Sequence, residues 1–229
     1  MSSTLATGGQ VETRPAASAP WNDPVINLDA IRAGDVSHDP YTYMLVSDAL
    51  NQSVSPALRA DFPPITKPGF LTVDEVAMKG RFKQLVDEIE SEEFSEVMSQ
   101  KLGIDLHPFP RLTTIRKLSQ LRDGRPHIDG TAKIMTVLFY LNDAWDDSGA
   151  GRLRVLYGPD KFEPYKIEVP PTMGWMFAFL RGENSWHGHP PFASERKVVQ
   201  TAWIRDQHEV DRKKRRNATA QFLKGIFGR

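Results

Sequence analysis

The sequence predicts an α+β protein in which a helical first half supports an antiparallel sandwich or double-sheet jelly roll. Two observations carry this expectation. Between residues 72 and 102, apolar side chains recur at helical spacing behind a capping signal. After Pro110 the chain breaks into short segments rich in Val, Ile, Thr and aromatics, joined by turn sequences with no helical stretch between them. At 229 residues, 40% hydrophobic and 25% charged, the chain has the composition of an ordinary globular domain and enough length to bury a core.

Taken in order, residues 1–20 are Ser, Thr, Ala, Gly and Pro with few large apolar groups, and are expected to form a disordered tail. Residues 21–110 form an N-terminal helical or irregular support segment. Its first part is dotted with prolines and leaves room for one short helix around 48–60, interrupted by SVSP. Thr72-Val-Asp-Glu75 is a capping box, and Phe82, Leu85, Val86 and Ile89 then mark one face of a helix. A second helix is expected over 93–102, ended by Gly103, whose missing Cβ suits a C-cap. Residues 111–207 form the β core, with strands expected at 113–118, 132–141, 152–157, 165–169, 173–180 and 197–205. The basic stretch 208–229 reads as a terminal helix packing an apolar face of Phe222, Leu223, Ile226 and Phe227. Association with an anionic surface is its alternative reading.

Lys plus Arg and Asp plus Glu both number 29, so the formal charge is zero and no nucleic-acid partner is expected. No apolar run approaches the roughly 18 residues of a membrane span. The first residues also lack the charged-then-apolar order of a signal peptide, so a cytoplasmic location is expected. The chain has no cysteine, which removes disulfides, thiolate metal sites and a Cys nucleophile. Any metal must be held by His and carboxylates.

Such a set is present. His127-Ile-Asp129 places an imidazole and a carboxylate at i and i+2, on one face of a strand, where both can grip one ion. A third ligand from the distant SWHGH segment, His187 or His189, would complete a facial triad of two histidines and one carboxylate. That geometry leaves three adjacent positions open and suits non-haem Fe(II) better than zinc. Beyond it come two consecutive cations, Arg196 and Lys197. A cation beside an apolar pocket is costly without an anion, and a dicarboxylate co-substrate would supply one, with Tyr140 able to add a hydroxyl donor.

The ordered set His127-x-Asp129, TVLFYLNDAW, GAGRLRVL, SWHGHPPF and ERKVVQTAW resembles the Fe(II)/2-oxoglutarate dioxygenases, and within them the prolyl 4-hydroxylase-like branch, over roughly residues 112–206. The resemblance implies a double-stranded β-helix core with Fe(II), 2-oxoglutarate and O2. The reaction implied is hydroxylation of a C–H bond in a small molecule or peptidyl residue, with release of succinate and CO2. It implies His127 and Asp129 as iron ligands, and Pro191, four residues beyond His187, favours His187 over His189 as the third. For the co-substrate, counting back six from Trp203 favours Lys197 over Arg196, with Tyr140 beside it. Adjacent strand residues face opposite sides, so only one of the two cations should enter the pocket. Ala150 in GAGRL departs from the family's paired glycines, an expected change of a turn alone. Arg116, Arg125, Arg154 and Trp145 are candidate walls of a substrate site. Metal binding requires neutral imidazoles, so activity should fall below about pH 6. Two other readings compete: a jelly-roll module that binds a ligand without chemistry, and a cupin-type enzyme using another metal.

Overall fold

A computed structural model describes residues 23–212, 214 and 215; the tail expected over 1–20 and most of the basic C-terminal stretch lie outside these described residues. The chain runs α1 (Leu28–Ala33), β1 (Val36–Ser37), β2 (Tyr43–Val46), α2 (Ser55–Asp61), β3 (Leu71–Thr72), α3 (Gly80–Ile89) and α4 (Glu92–Leu102). It continues through β4 (Arg111–Leu118), β5 (Lys133–Tyr140), β6 (Leu153–Leu156), β7 (Tyr165–Val169), β8 (Met176–Leu180), β9 (His187–Gly188) and β10 (Glu195–Ile204). Two antiparallel sheets form the double-stranded β-helix. The larger has the order β1-β2-β8-β5-β10-β4-β3, and the smaller β7-β6-β9.

The central strands of the large sheet are two-faced. Met135, Val137 and Phe139 of β5, with Val199 and Trp203 of β10, meet Phe82, Leu85, Ile89, Phe94 and Met98 of the helices in one core. Leu138 and Tyr140 of β5, with Val198 of β10, turn the other way and meet Leu153, Val155 and Phe179 in a second core between the sheets. Both faces of a central strand are therefore buried, and its sequence loses the polar-apolar alternation of a half-exposed strand. Phe94 links helices to sheet, its ring centroid 5.9 Å from that of Phe139 and 6.2 Å from that of Trp203.

The capping box at Thr72 and Glu75 is present, but it closes only a single 3-10 turn, Val73–Glu75. The α-helix begins at Gly80, and its first turn is held by the Asp61 carboxylate at the end of α2, which accepts from the Arg81 N–H at 2.8 Å. Ser91 divides the helical region by accepting from the Phe94 N–H at 3.1 Å and capping α4, and Gly103 ends α4 in the left-handed region at φ 68°. The expectation of a purely helical or irregular segment over 21–110 needs correcting: β1, β2 and β3 lie within it. β2 pairs with β8 across four residues and extends the large sheet. The signal was hidden because Tyr43–Val46 is short and follows Pro40.

Truncating Phe94 to Ala should leave a cavity at the helix–sheet seam and lower unfolding free energy by about 3–5 kcal/mol. Urea unfolding followed by tryptophan fluorescence would read this as a shift of midpoint.

Candidate active site

The site is built on a backbone clamp. His127 and His187 form an antiparallel bridge, the His127 N–H donating to the His187 carbonyl at 2.9 Å and the reverse bond closing at 3.0 Å. The two rings consequently lie 4.3 Å apart, tilted by 52°. One ligand atom each from His127, Asp129 and His187 all fall within 4.8 Å of one another, an arrangement able to hold a metal ion. Each imidazole has its Nδ1 engaged by a backbone carbonyl, that of Arg125 at 2.8 Å for His127 and that of Ser185 at 2.9 Å for His187. Carbonyls only accept, so both Nδ1 atoms carry the proton and both Nε2 lone pairs are free for a metal.

Around this trio the side chains fix its state. The Asp129 carboxylate accepts from Thr136 Oγ1 at 2.7 Å and from Lys133 Nζ at 2.8 Å. Burial alone would raise its pKa, but Lys133, His187 and Thr136 together outweigh burial and hold it well below the usual carboxylate range. His187 lies against Phe179, ring centroids 4.5 Å apart. Burial pushes its pKa down to about 4, so it is neutral at ordinary pH, as a metal ligand must be.

The trio lines a cavity of about 240 Å³ whose walls also include Leu138, Leu153, Arg116, His189, Arg196 and Gln200. Arg196 is 2% exposed; its Nε donates to the Gly151 carbonyl at 2.8 Å and its Nη2 to the Tyr140 hydroxyl at 3.3 Å. Among the described residues it has no carboxylate partner. Lys197 goes elsewhere, correcting the count from Trp203: its Nζ pairs with Glu195 at 3.3 Å and lies over the Phe62 ring on the helix side. Alternation along β10 is the cause: an even count of six puts Lys197 on the helix-side face with Val199 and Trp203, while Arg196 shares the cavity side with Val198 and Gln200.

Of the other residues singled out, His189 enters the cavity but not the trio, its Nδ1 held by the Pro190 carbonyl at 2.9 Å. Burial, with Arg196 adding to it, pushes its pKa down to about 3. Arg116 enters the cavity as well. Arg154 is instead tied to Glu168 at 2.7 Å, and Trp145 packs on Phe192 with its indole N–H on the Ala150 carbonyl. Arg125 is exposed at the turn before His127. The 149–151 turn does more than reverse the chain, because its Gly151 carbonyl is the acceptor that orients Arg196. Thr136, Lys133 and Gln200 went unread in the sequence; Thr136 and Gln200 sit in strands that look wholly structural.

Residues 117–205 match the sequence model of the 2OG-Fe(II) oxygenase superfamily. That stretch, under half of the chain, is similar to 2OG-Fe(II) oxygenases. Fe(II) and 2-oxoglutarate are the cofactor and co-substrate for which the matched superfamily is named. The donor set fits: two neutral imidazoles and an ionised carboxylate, with no thiolate, suit Fe(II) with open positions. No curated protein matches the chain. Among solved structures, a Pseudomonas putida prolyl-4-hydroxylase superposes with TM-score 0.55 at 17% identity, covering 78% of this chain and 99% of that one. A Phytophthora capsici prolyl 4-hydroxylase gives 0.53 at 16% identity, covering 83% and 68%. A 2OG-Fe(II) oxygenase-family oxidoreductase from Burkholderia pseudomallei gives 0.51 at 13%, covering 79% and 91%. At these identities the likeness is one of fold.

The depressed His187 and His189 values set a direction for stability. Below about pH 6.5 the unfolded chain protonates these imidazoles while the metal-free native site resists down to about 4 and about 3 respectively, so stability falls with pH. Each histidine contributes a slope of about 1.4 kcal/mol per pH unit across that window. Urea midpoints at pH 7, 6 and 5 should therefore drop, and His189→Gln should flatten the dependence by one proton.

Proposed function

We propose that this domain hydroxylates an unactivated C–H bond of a small molecule or peptidyl residue, with His127, Asp129 and His187 as the iron ligands and Arg196, oriented by Tyr140, as the residue that receives the far carboxylate of 2-oxoglutarate. The observation that carries this reading is the pairing within one cavity: a trio of candidate ligands within 4.8 Å at one end, and at the other a buried guanidinium without a carboxylate partner among the described residues.

When bound, Fe(II) and 2-oxoglutarate supply the activation of O2, with one oxygen atom going to the substrate and one to succinate as CO2 leaves. The chain's own part is placement. Thr136 and Lys133 hold the Asp129 carboxylate, and the Arg125 and Ser185 carbonyls fix both imidazole tautomers. Leu138, Leu153 and Phe179 supply an apolar wall that limits water near the metal end. The fold likeness to prolyl 4-hydroxylases makes peptidyl proline a substrate to include in a screen beside free amino acids and small metabolites.

Adding Fe(II) and 2-oxoglutarate anaerobically should produce a weak visible charge-transfer band, and His127→Ala should abolish it. A folded wild type that gives no band and consumes no 2-oxoglutarate would return the domain to the reading of a binding module without chemistry. Arg196→Met should raise the KM for 2-oxoglutarate by about tenfold or more, the worth of a charge-assisted bond. Lys197→Met should leave it nearly unchanged.

A further inference from the structure

The cavity holds a second guanidinium that the reading above does not use. Arg116 lies on β4, is 9% exposed and lines the same cavity as Arg196 and the ligand trio. Among the described residues its contacts are few for a buried cation with five N–H donors. Nη1 faces Asp123 Oδ2 at 3.5 Å, too long for a good hydrogen bond, and the guanidinium carbon sits 4.0 Å over the Phe70 ring. Its Nε is buried and has no hydrogen-bond partner among the described residues. Burial, opposed by Asp123 and reinforced by Arg196, pushes its pKa down to about 10, which still leaves it charged at neutral pH. A desolvated, charged group with unmade hydrogen bonds is what a protein keeps where an anion is meant to arrive.

Register says which end of the cavity it serves. Val198 of β10 has Tyr140 opposite it on β5 and Arg116 opposite it on β4. Arg116 and Tyr140 thus flank β10 at one level, and Tyr140 is the hydroxyl on which Arg196 rests. Thr136, which holds the Asp129 carboxylate, lies opposite Ala202, four residues further along β10 and about 13 Å away at the rise of an antiparallel strand. Arg116 is therefore at the end remote from the metal.

Resting on the proposed placement of 2-oxoglutarate, we propose that Arg116 is a second binding residue for the co-substrate's far carboxylate, sharing it with Arg196 so that two guanidiniums discriminate a 2-oxo diacid from a 2-oxo monoacid. Asp123 then acts as a weak resting partner that steadies Arg116 when no carboxylate is present. The competing role for Arg116 is purely structural, pinning the 120–125 turn through Asp123, whose Oδ2 also accepts from the Gln120 N–H at 2.9 Å.

The test titrates 2-oxoglutarate, and separately pyruvate, into anaerobic Fe(II)-loaded protein by the visible band, with calorimetry on the Mn(II)-loaded protein as a second readout of binding. Arg116→Gln should weaken 2-oxoglutarate by about ten- to a hundredfold, the range of a hydrogen bond to a charged group, while pyruvate binding changes by less than about threefold. Arg116→Lys should recover part of the loss, and Asp123→Asn should hold 2-oxoglutarate as tightly as wild type or more so. Equal losses for both ligands in Arg116→Gln, or the same loss in Asp123→Asn as in Arg116→Gln, would overturn the assignment. If Arg116→Gln does not fold, the Asp123→Asn and Arg116→Lys arms decide it alone. No band or heat with wild type would instead sink the metal and co-substrate reading on which the inference rests.

Discussion

Everything in the site depends on one short piece of antiparallel pairing. His127 and His187 are sixty residues apart in the chain, yet two reciprocal backbone hydrogen bonds put their rings side by side. Those bonds are made by atoms every residue possesses, so the metal-site geometry is inherited from the sheet rather than negotiated by the side chains. Gly188 makes the approach feasible. A Cβ there would stand 2.6 Å from the Gly124 carbonyl, and one on Gly124, at φ +78°, would strike the His189 ring. The segments 124–129 and 187–189 are thus clamped along their length, and the backbone sets the spacing of the His127, Asp129 and His187 side chains.

Alternation along β5 and β10 does the rest. On each strand one set of side chains enters the helix-backed core, and the neighbouring set enters the space between the sheets. The helices α3 and α4 never touch the chemistry, yet they cover the outer face of the strands that carry Thr136, Leu138 and Tyr140. A sheet covered on one side by helices and on the other by the smaller sheet holds those side chains in fixed rotamers. That is the condition for a ligand carboxylate to keep its bond to Thr136 rather than wander.

Much of this was legible in sequence because the informative residues are rare types in fixed local relations. A histidine and an aspartate two apart on a strand must share a face, and a chain without cysteine left only such groups for a metal. Helix ends were readable at Gly103 for the same local reason, a backbone conformation that favours glycine. What escaped depended on distance in sequence. Asp61 capping α3 and β2 joining β8 are contacts no window reveals. Which of Arg196 and Lys197 enters the cavity follows from which face of β10 the helices cover: Trp203 and Val199 face the helices, so Lys197 does too and Arg196 faces the cavity. Thr136 was hidden by its ordinariness, since Thr on a strand usually signifies pairing, and Arg116 was read only as one of four candidate wall residues.

The chain's zero net charge conceals how unevenly charge is used inside. At the metal end Asp129 is compensated by Lys133, so the pair brings little net charge to the ion. At the other end, among the described residues, Arg196 has neutral acceptors and Arg116 a single carboxylate, Asp123, at 3.5 Å. His189 between them adds no further positive charge, since burial and the two arginines keep it neutral. Among the described residues that end of the cavity therefore sets two guanidiniums against the single carboxylate of Asp123, a positive surplus in a low-dielectric setting that a dianion would offset. A ligand bound to the native state alone stabilises it in proportion to its own affinity. On the proposed reading, that same charge favours a dicarboxylate over neutral or singly charged ligands.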